Sequence, residues 1–250
     1  MNETDYQAFY EQVGNSNGWN FDHIRCITEG TALDLYQHVQ SLLQPHHLLL
    51  DIGTGGGEAL LSLTASAALL VGIDQSAAMI NTARRNLNIA NAPHVRLMEM
   101  DAQQLQFPND FFDIISCRHA PLHISEAARV LRPGGYLLTQ QVSEQDKWNL
   151  KQAFKRGQAY DVPPHTLQRQ YMQQLEQAGF QDVEILQSEV HEYYEYAEDL
   201  IFLLQHTPII PDFGQCESDW RILHHFIEHH TTDKGICTTA ARFMIIASLV

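Results

Sequence analysis

The run Leu48-Leu49-Leu50-Asp51-Ile52-Gly53-Thr54-Gly55-Gly56-Gly57-Glu58 constrains this chain more than any other stretch, because it sends an apolar strand and a carboxylate straight into a glycine-rich turn. Glycine adopts backbone conformations closed to other residues and puts no Cβ between the chain and a ligand lying against it. Glu58 to Leu63 then read as the start of a helix whose free N–H groups face the same space. A strand, turn and helix of this composition predict a nucleotide-type cofactor site.

Two cofactor classes use such a turn. The dinucleotide fingerprint needs a third small residue for close packing of helix on strand, and from Gly53 and Gly55 that position falls on Glu58. A nicotinamide cofactor is therefore disfavoured. Read as DxGxGxG, with Asp51, Gly53, Gly55 and Gly57, the segment resembles motif I of the class I S-adenosylmethionine-dependent methyltransferases. An anion is wanted near the methionine ammonium of that cofactor, and Asp51 can serve directly or through water.

The elements that follow extend the resemblance. Ala67 to Ile73 is an apolar run of the kind buried parallel strands show, and it ends at Asp74, placed to bond both hydroxyls of a ribose. Ser76 caps a helix with Met79, Ile80, Ala83 and Leu87 on one face. A third strand, His94 to Met100, reaches Asp101 and Ala102, which match the family positions for the adenine amino group and a ring nitrogen. Phe111 to Cys117 is similar to the fourth strand of the family. Its extension, Arg118-His119-Ala120-Pro121-Leu122-His123, lies where substrate and sulfonium meet. A helix from Ile124 to Leu131, the turn Arg132-Pro133-Gly134-Gly135 and a strand from Tyr136 to Val142 complete the match over residues 47 to 142.

The resemblance implies S-adenosylmethionine as cofactor, with S-adenosylhomocysteine as product. Its contacts are expected at Asp51, Gly53, Thr54, Gly55 and Gly57 of the turn, at Asp74, Gln75 and Met79 after the second strand, and at Asp101, Ala102 and Arg118. His119 and His123 are the candidate proton acceptors, since an unperturbed imidazole titrates near neutrality. Tyr193, Tyr194 and His206 are further substrate-facing candidates.

The expected architecture is α/β: a Rossmann-like, seven-stranded, mostly parallel sheet with an antiparallel C-terminal strand, an N-terminal helical cap and a helical insertion. All 250 residues form one domain. Residues 1 to 46 make the cap, 47 to 142 the cofactor-binding core and 191 to 235 the insertion. Tyr6, Phe9, Tyr10, Val13, Trp19 and Phe21 give the cap an aromatic start, before a helix expected from about Thr31 to Leu43. Aromatics there either fold over the cofactor cleft or pack as a helix against the sheet edge. Lys147 to Tyr160 and Leu167 to Ala178 read as helices, Phe180 to Val190 as the sixth strand and Ala241 to Val250 as the seventh, paired antiparallel. The segment between those strands is too long for a hairpin, and its apolar Leu200 to Leu204 run suits a roof over the site.

Charge narrows the acceptor. Thirty acidic against fifteen basic residues give a formal charge of −15, and no basic run offers phosphate contacts, so nucleic acid is disfavoured and a small molecule expected. An RNA methyltransferase and a non-catalytic S-adenosylmethionine-binding partner protein are the alternatives. No 18-residue apolar span and no basic-then-apolar leader occur, which predicts a soluble, cytoplasmic protein. Four dispersed cysteines, Cys26, Cys117, Cys216 and Cys237, show no zinc or disulfide spacing. His225 and His229 share an i, i+4 spacing, but no HExxH pattern or thiolate completes a set, so no metal is expected.

Overall fold

The computed structural model describes residues 23–65 and 67–250. The aromatic residues Tyr6 to Phe21, read above as part of a cap, lie outside the described residues. No helix among the described residues is long and apolar enough to cross a membrane.

In chain order the elements are β1 (Cys26–Glu29), α1 (Leu35–Leu42), β2 (Leu48–Ile52), α2 (Glu58–Leu61), β3 (Leu69–Asp74), α3 (Ala77–Ala90), β4 (Val95–Glu99) and β5 (Phe112–Arg118). They continue as α4 (Ile124–Val130), β6 (Leu131–Val142), α5 (Trp148–Phe154), α6 (Thr166–Gln177), β7 (Phe180–Tyr194), α7 (Ala197–His206), α8 (Glu217–His230), β8 (Thr231–Thr232) and β9 (Gly235–Leu249). The strands lie in the order β1-β7-β9-β6-β5-β2-β3-β4. Strands β4, β3, β2, β5 and β6 run parallel, and β9 is antiparallel to both of its neighbours, β6 and β7.

The seven expected strands are all present, and two more extend the sheet. The reason is length: β7 and β9 each run 15 residues and project beyond the parallel core. The projecting end of β7 pairs His191–Tyr194 with β1, and that of β9 pairs Gly235 and Ile236 with β8. The insertion is correspondingly shorter than expected, because residues 191 to 194 belong to β7.

Period-two alternation divides the core between the two faces of the sheet. Leu50, Ile52, Val71, Ile115, Leu137 and Ile245 face α4 and α6, meeting Ala127, Val130 and Leu175. Leu49, Leu70, Ile114, Leu138 and Met244 face the other way, under Leu35 and Val39 of α1 and Ala83 of α3. A third cluster joins Leu150 and Phe154 to Leu200, Leu204, Leu223 and Phe226 of the insertion. The segment Leu35–Leu42 thus packs on the face of the sheet rather than its edge.

Three local expectations shift. Helix α2 has four residues, because the chain leaves it in tight turns with Leu63 N–H bonding Leu60 O at 3.1 Å. Helix α5 stops at Phe154, where Lys155 turns left-handed and Gln158 N–H bonds Ile209 O of the insertion, so tertiary pairing overrides a helical pattern running to Tyr160. Strand β6 starts five residues early: Leu131 pairs with Phe112 directly off α4, and the register then shifts across Arg132–Gly135 before Tyr136 meets Ile114.

Gly72 in mid-β3 holds the glycine turn against the sheet. A Cβ there would lie 2.8 Å from Leu60 Cδ2 and 2.9 Å from both Leu97 Cδ2 and Thr54 Cγ2. Gly72→Ala is therefore expected to destabilise the protein by about 1–3 kcal/mol through overpacking. Urea unfolding measures it, and an unchanged midpoint would mean that this contact has slack.

Candidate active site

The glycine turn and Asp101 follow β2 and β4, and Asp74 and Arg118 end β3 and β5, so all four stand at the C-terminal edge of the parallel strands. Chain order reverses between β5 and β2, and ligands in open α/β sheets bind in the crevice at that point. Gly53, Gly55 and Gly57 have φ of 71°, 56° and 77°, the left-handed region glycine tolerates. At Gly53 the reason is also spatial: a Cβ would sit 2.3 Å from Ala120 Cβ. Lacking it, the glycine turn lets the His119–Ala120 corner rest directly upon it.

Asp74 orients this turn. Its carboxylate accepts the Gly55 N–H at 3.0 Å and the Ser76 N–H at 2.9 Å, tying the end of β3 to the glycine loop and to the N-cap of α3. Met79 is buried on α3, and its N–H bonds Ser76 Oγ. Asp101 is exposed and accepts the Gln103 N–H at 2.8 Å, with Ala102 packed against the core behind it.

Asp51 is fully buried. Ser116 Oγ donates to it at 2.6 Å and the Tyr36 hydroxyl at 3.0 Å. Burial pushes its carboxyl up from the usual range, opposed by Ser116, Thr54, Tyr36 and the Arg118 charge. The Thr54 hydroxyl lies near enough to Asp51 to favour its charged form, but it is buried and makes no well-formed hydrogen bond among the described residues. An orphaned polar atom in a glycine turn, beside a carboxylate, fits a polar ligand group resting there. Tyr36 comes from α1, and Arg118 lies over its ring at 4.9 Å, so the N-terminal segment completes the setting of the motif I acid.

His119 takes φ 55°, a strained conformation for a non-glycine residue. Its N–H bonds Gln140 O at 2.9 Å, while Gln140 Oε1 receives the Leu35 N–H of α1. Crowding in the cleft, then the charges of Arg242 and Arg118, hold the imidazole below its ordinary value. Solvent also reaches this exposed residue and moderates that depression. The ring is thus neutral at physiological pH and a weak base, with Nε2 accepting from the Gln140 side-chain amide at 3.4 Å. His123 serves as the N-cap residue of α4 without a side-chain cap bond.

A cavity of about 400 Å³ opens beside His119. The insertion contributes Leu203 and Thr207–Ile209 to its lining, and β7 contributes Glu192 and Tyr194. Two ion pairs border it: Lys147 with Glu192, and Arg242 with Asp146. Lys147 also donates to Tyr194 Oη at 3.0 Å and Thr238 Oγ1 at 2.8 Å. Of the substrate-facing candidates, the structure brings His119 and Tyr194 to this cavity. Tyr193, one residue along the strand, points to the other face and donates to Glu29. His206 stacks on Phe202 and bonds its carbonyl.

The ion pairs went unrecognised in the sequence because their members are up to 96 residues apart. The only local sign was Glu192 alternating with Tyr193 and Tyr194. Cys117 is buried, its thiol pushed up to about 12, which suits packing rather than nucleophilic chemistry. The structure adds one point to the histidines of α8: Glu228 joins His225 and His229 in an exposed group whose ligand atoms lie within 4.8 Å of one another.

Residues 50–139 match the family model described as a methyltransferase domain. The chain is 34% identical over 108 residues to the uncharacterized methyltransferase YcgJ of Bacillus subtilis, covering 40% of this chain and 43% of that protein. It is 39% identical over 93 residues to a fatty-acid O-methyltransferase of Mycolicibacterium smegmatis, covering 34% and 33%. A ubiquinone/menaquinone biosynthesis C-methyltransferase of Vibrio vulnificus aligns at 30% over 151 residues, covering 53% and 56%. These matches span between a third and little more than half of the relatives. The crystal structure of YcgJ superposes with a TM-score of 0.63 at 18% identity, over 86% of this chain and 97% of that one. Residues 50–139 thus match a methyltransferase domain, set in an α/β fold that superposes on that of YcgJ, and S-adenosylmethionine is the cofactor that this match supports.

Proposed function

We propose that this protein transfers a methyl group from S-adenosylmethionine to a small-molecule acceptor held in the cavity beside His119. The observation that carries the reading is the position of that cavity. It opens at the strand end where the His119–Ala120 corner rests on the glycine turn, so cofactor loop and cavity share one corner of the fold. The relatives named for fatty-acid and quinone methylation support a small-molecule acceptor. A cavity of about 400 Å³ and a formal charge of −15 favour it over RNA.

The bound cofactor supplies a methyl group already activated on a sulfonium. The chain's own task is to bind, orient and exclude water. Asp74 and the turn Gly53, Thr54, Gly55 and Gly57 are assigned to the cofactor, as are Asp51, Gln75, Met79, Asp101, Ala102 and Arg118. The Thr54 hydroxyl is a buried polar group left without a hydrogen-bond partner among the described residues. His119, neutral and with Nε2 taken up by the Gln140 side-chain amide at 3.4 Å, orients the acceptor through its other ring nitrogen, the Nδ1–H donor; its lowered basicity argues against a role as a strong proton acceptor. His123 is not among the cavity-lining residues and ranks below it. The insertion lines the cavity through Leu203 and Ile209, apolar residues whose proposed role is to keep water from the transfer zone.

Asp74→Ala tests the reading. It is expected to weaken S-adenosylmethionine and S-adenosylhomocysteine equally, by on the order of 2–4 kcal/mol, because both carry the same ribose. Calorimetry on the folded variant gives the answer, and unchanged affinity would remove Asp74 from the site. Methyl transfer itself is checked by label transfer from S-adenosylmethionine to candidate acceptors.

A further inference from the structure

A second cavity, of about 300 Å³, adjoins the one beside His119, and Val142 and Gln158 line both. Lys151, from α5, reaches into its wall and is only 1% exposed. Its ammonium has three donors, yet it makes one hydrogen bond among the described residues, to the backbone oxygen of Glu144 at 3.2 Å. A buried cation so thinly partnered is costly unless something completes it.

The surrounding acids are already engaged. The two carboxylate oxygens of Glu144, also in the wall, accept the His165 and Leu167 N–H groups at 3.0 and 2.8 Å, at the start of α6. Asp146 is paired with Arg242 and accepts the Ala241 N–H. Burial holds the Lys151 amine below its ordinary value, against the raising charge of those two acids. Space has been kept for the side chain: a Cβ at Gly157 would lie 2.6 Å from Lys151 Cγ. Beside it, the Gln158 side-chain amide makes no hydrogen bond among the described residues, while its backbone N–H is fixed to Ile209 O at 2.9 Å.

We propose that Lys151 and Gln158 form a carboxylate subsite, taking the anionic end of an amphipathic acceptor whose reacting end lies beside His119. An ammonium and an amide match the two oxygens of a carboxylate. Val162 and Leu167 supply an apolar wall for the adjoining carbon chain. This rests on the methyl-transfer reading for the reacting end alone; the subsite itself is a binding claim.

Hexanoate and its uncharged counterpart hexanamide are the probes, titrated calorimetrically at neutral pH into wild type, K151M and Q158L, with S-adenosylhomocysteine titrated in parallel. Wild type is expected to favour hexanoate by about ten- to hundredfold, the range of a charge-assisted hydrogen bond. K151M should lose that preference while keeping S-adenosylhomocysteine affinity and melting no lower, since it removes a thinly partnered buried cation. Q158L should weaken hexanoate by about two- to tenfold. No saturable hexanoate binding to wild type, or the same preference in K151M, overturns the subsite. If K151M does not fold, full hexanoate affinity in Q158L overturns it equally. Failure of wild type to bind S-adenosylhomocysteine would instead overturn the methyl-transfer reading.

Discussion

Gly55→Val is expected to abolish S-adenosylhomocysteine binding in a protein that still folds. Gly55 holds φ at 56°, where a β-branched residue is strained by roughly 1–3 kcal/mol. Any relief of that strain moves the Gly55 N–H away from Asp74 Oδ2, the bond that couples the turn to the ribose-binding candidate. The valine side chain would also occupy the surface over which the ligand is proposed to cross. Strain, lost coupling and obstruction act together on binding. The surrounding strands depend on Leu49, Leu50 and Ile52, which the substitution leaves in place. Calorimetry with S-adenosylhomocysteine, beside circular dichroism for the fold, checks the result. Normal affinity would mean that the turn does not approach the cofactor.

Glu192→Gln is the substitution expected to cost most stability, about 3–5 kcal/mol, because it leaves the Lys147 ammonium buried without its counter-ion. The Lys147 side chain is 2% exposed, and only the Tyr194 and Thr238 hydroxyls would remain to it. A Lys147→Met, Glu192→Gln double variant removes both charges and should recover most of that loss. Burial raises the Glu192 carboxyl, and Lys147 more than reverses this, so the folded-state pKa lies below the ordinary value. The contribution of the pair is therefore complete above the unfolded carboxylate pKa, near about 4.3. It is lost as pH falls through the lower folded value. Urea unfolding across the acid range should show wild type losing stability more steeply than Glu192→Gln. A cost at neutral pH under about 1 kcal/mol would mean that water already shares the charge.

The parts of the candidate site carried on strand ends were legible as positions because a strand pattern closes there on a polar residue. Leu48 to Asp51 and Leu69 to Asp74 are apolar runs closing on an acid, the more mixed Val95 to Asp101 closes on one too, and the structure sets all three side by side at one edge. Nothing local marks Tyr36, because its bond to Asp51 depends on how α1 settles on the sheet. The lengths of β7 and β9 were underread since residues 191 to 194 mix charged and aromatic types, and β1 and β8 exist because those strands project.

From the chain alone came the order of strands and helices, the glycine turn and the cofactor class, since periodicity, glycine placement and end-of-strand acids act over short stretches. The tertiary structure alone decided the two cavities and the charged groups around them. Lys147 meeting Glu192, Asp146 meeting Arg242, and Lys151 lying under Gly157 beside a second cavity are products of how α5, β7 and β9 pack. A buried lysine and a solvated one have the same letter in a sequence. Only packing, by withdrawing water from one of them, turns it into a group that needs a partner.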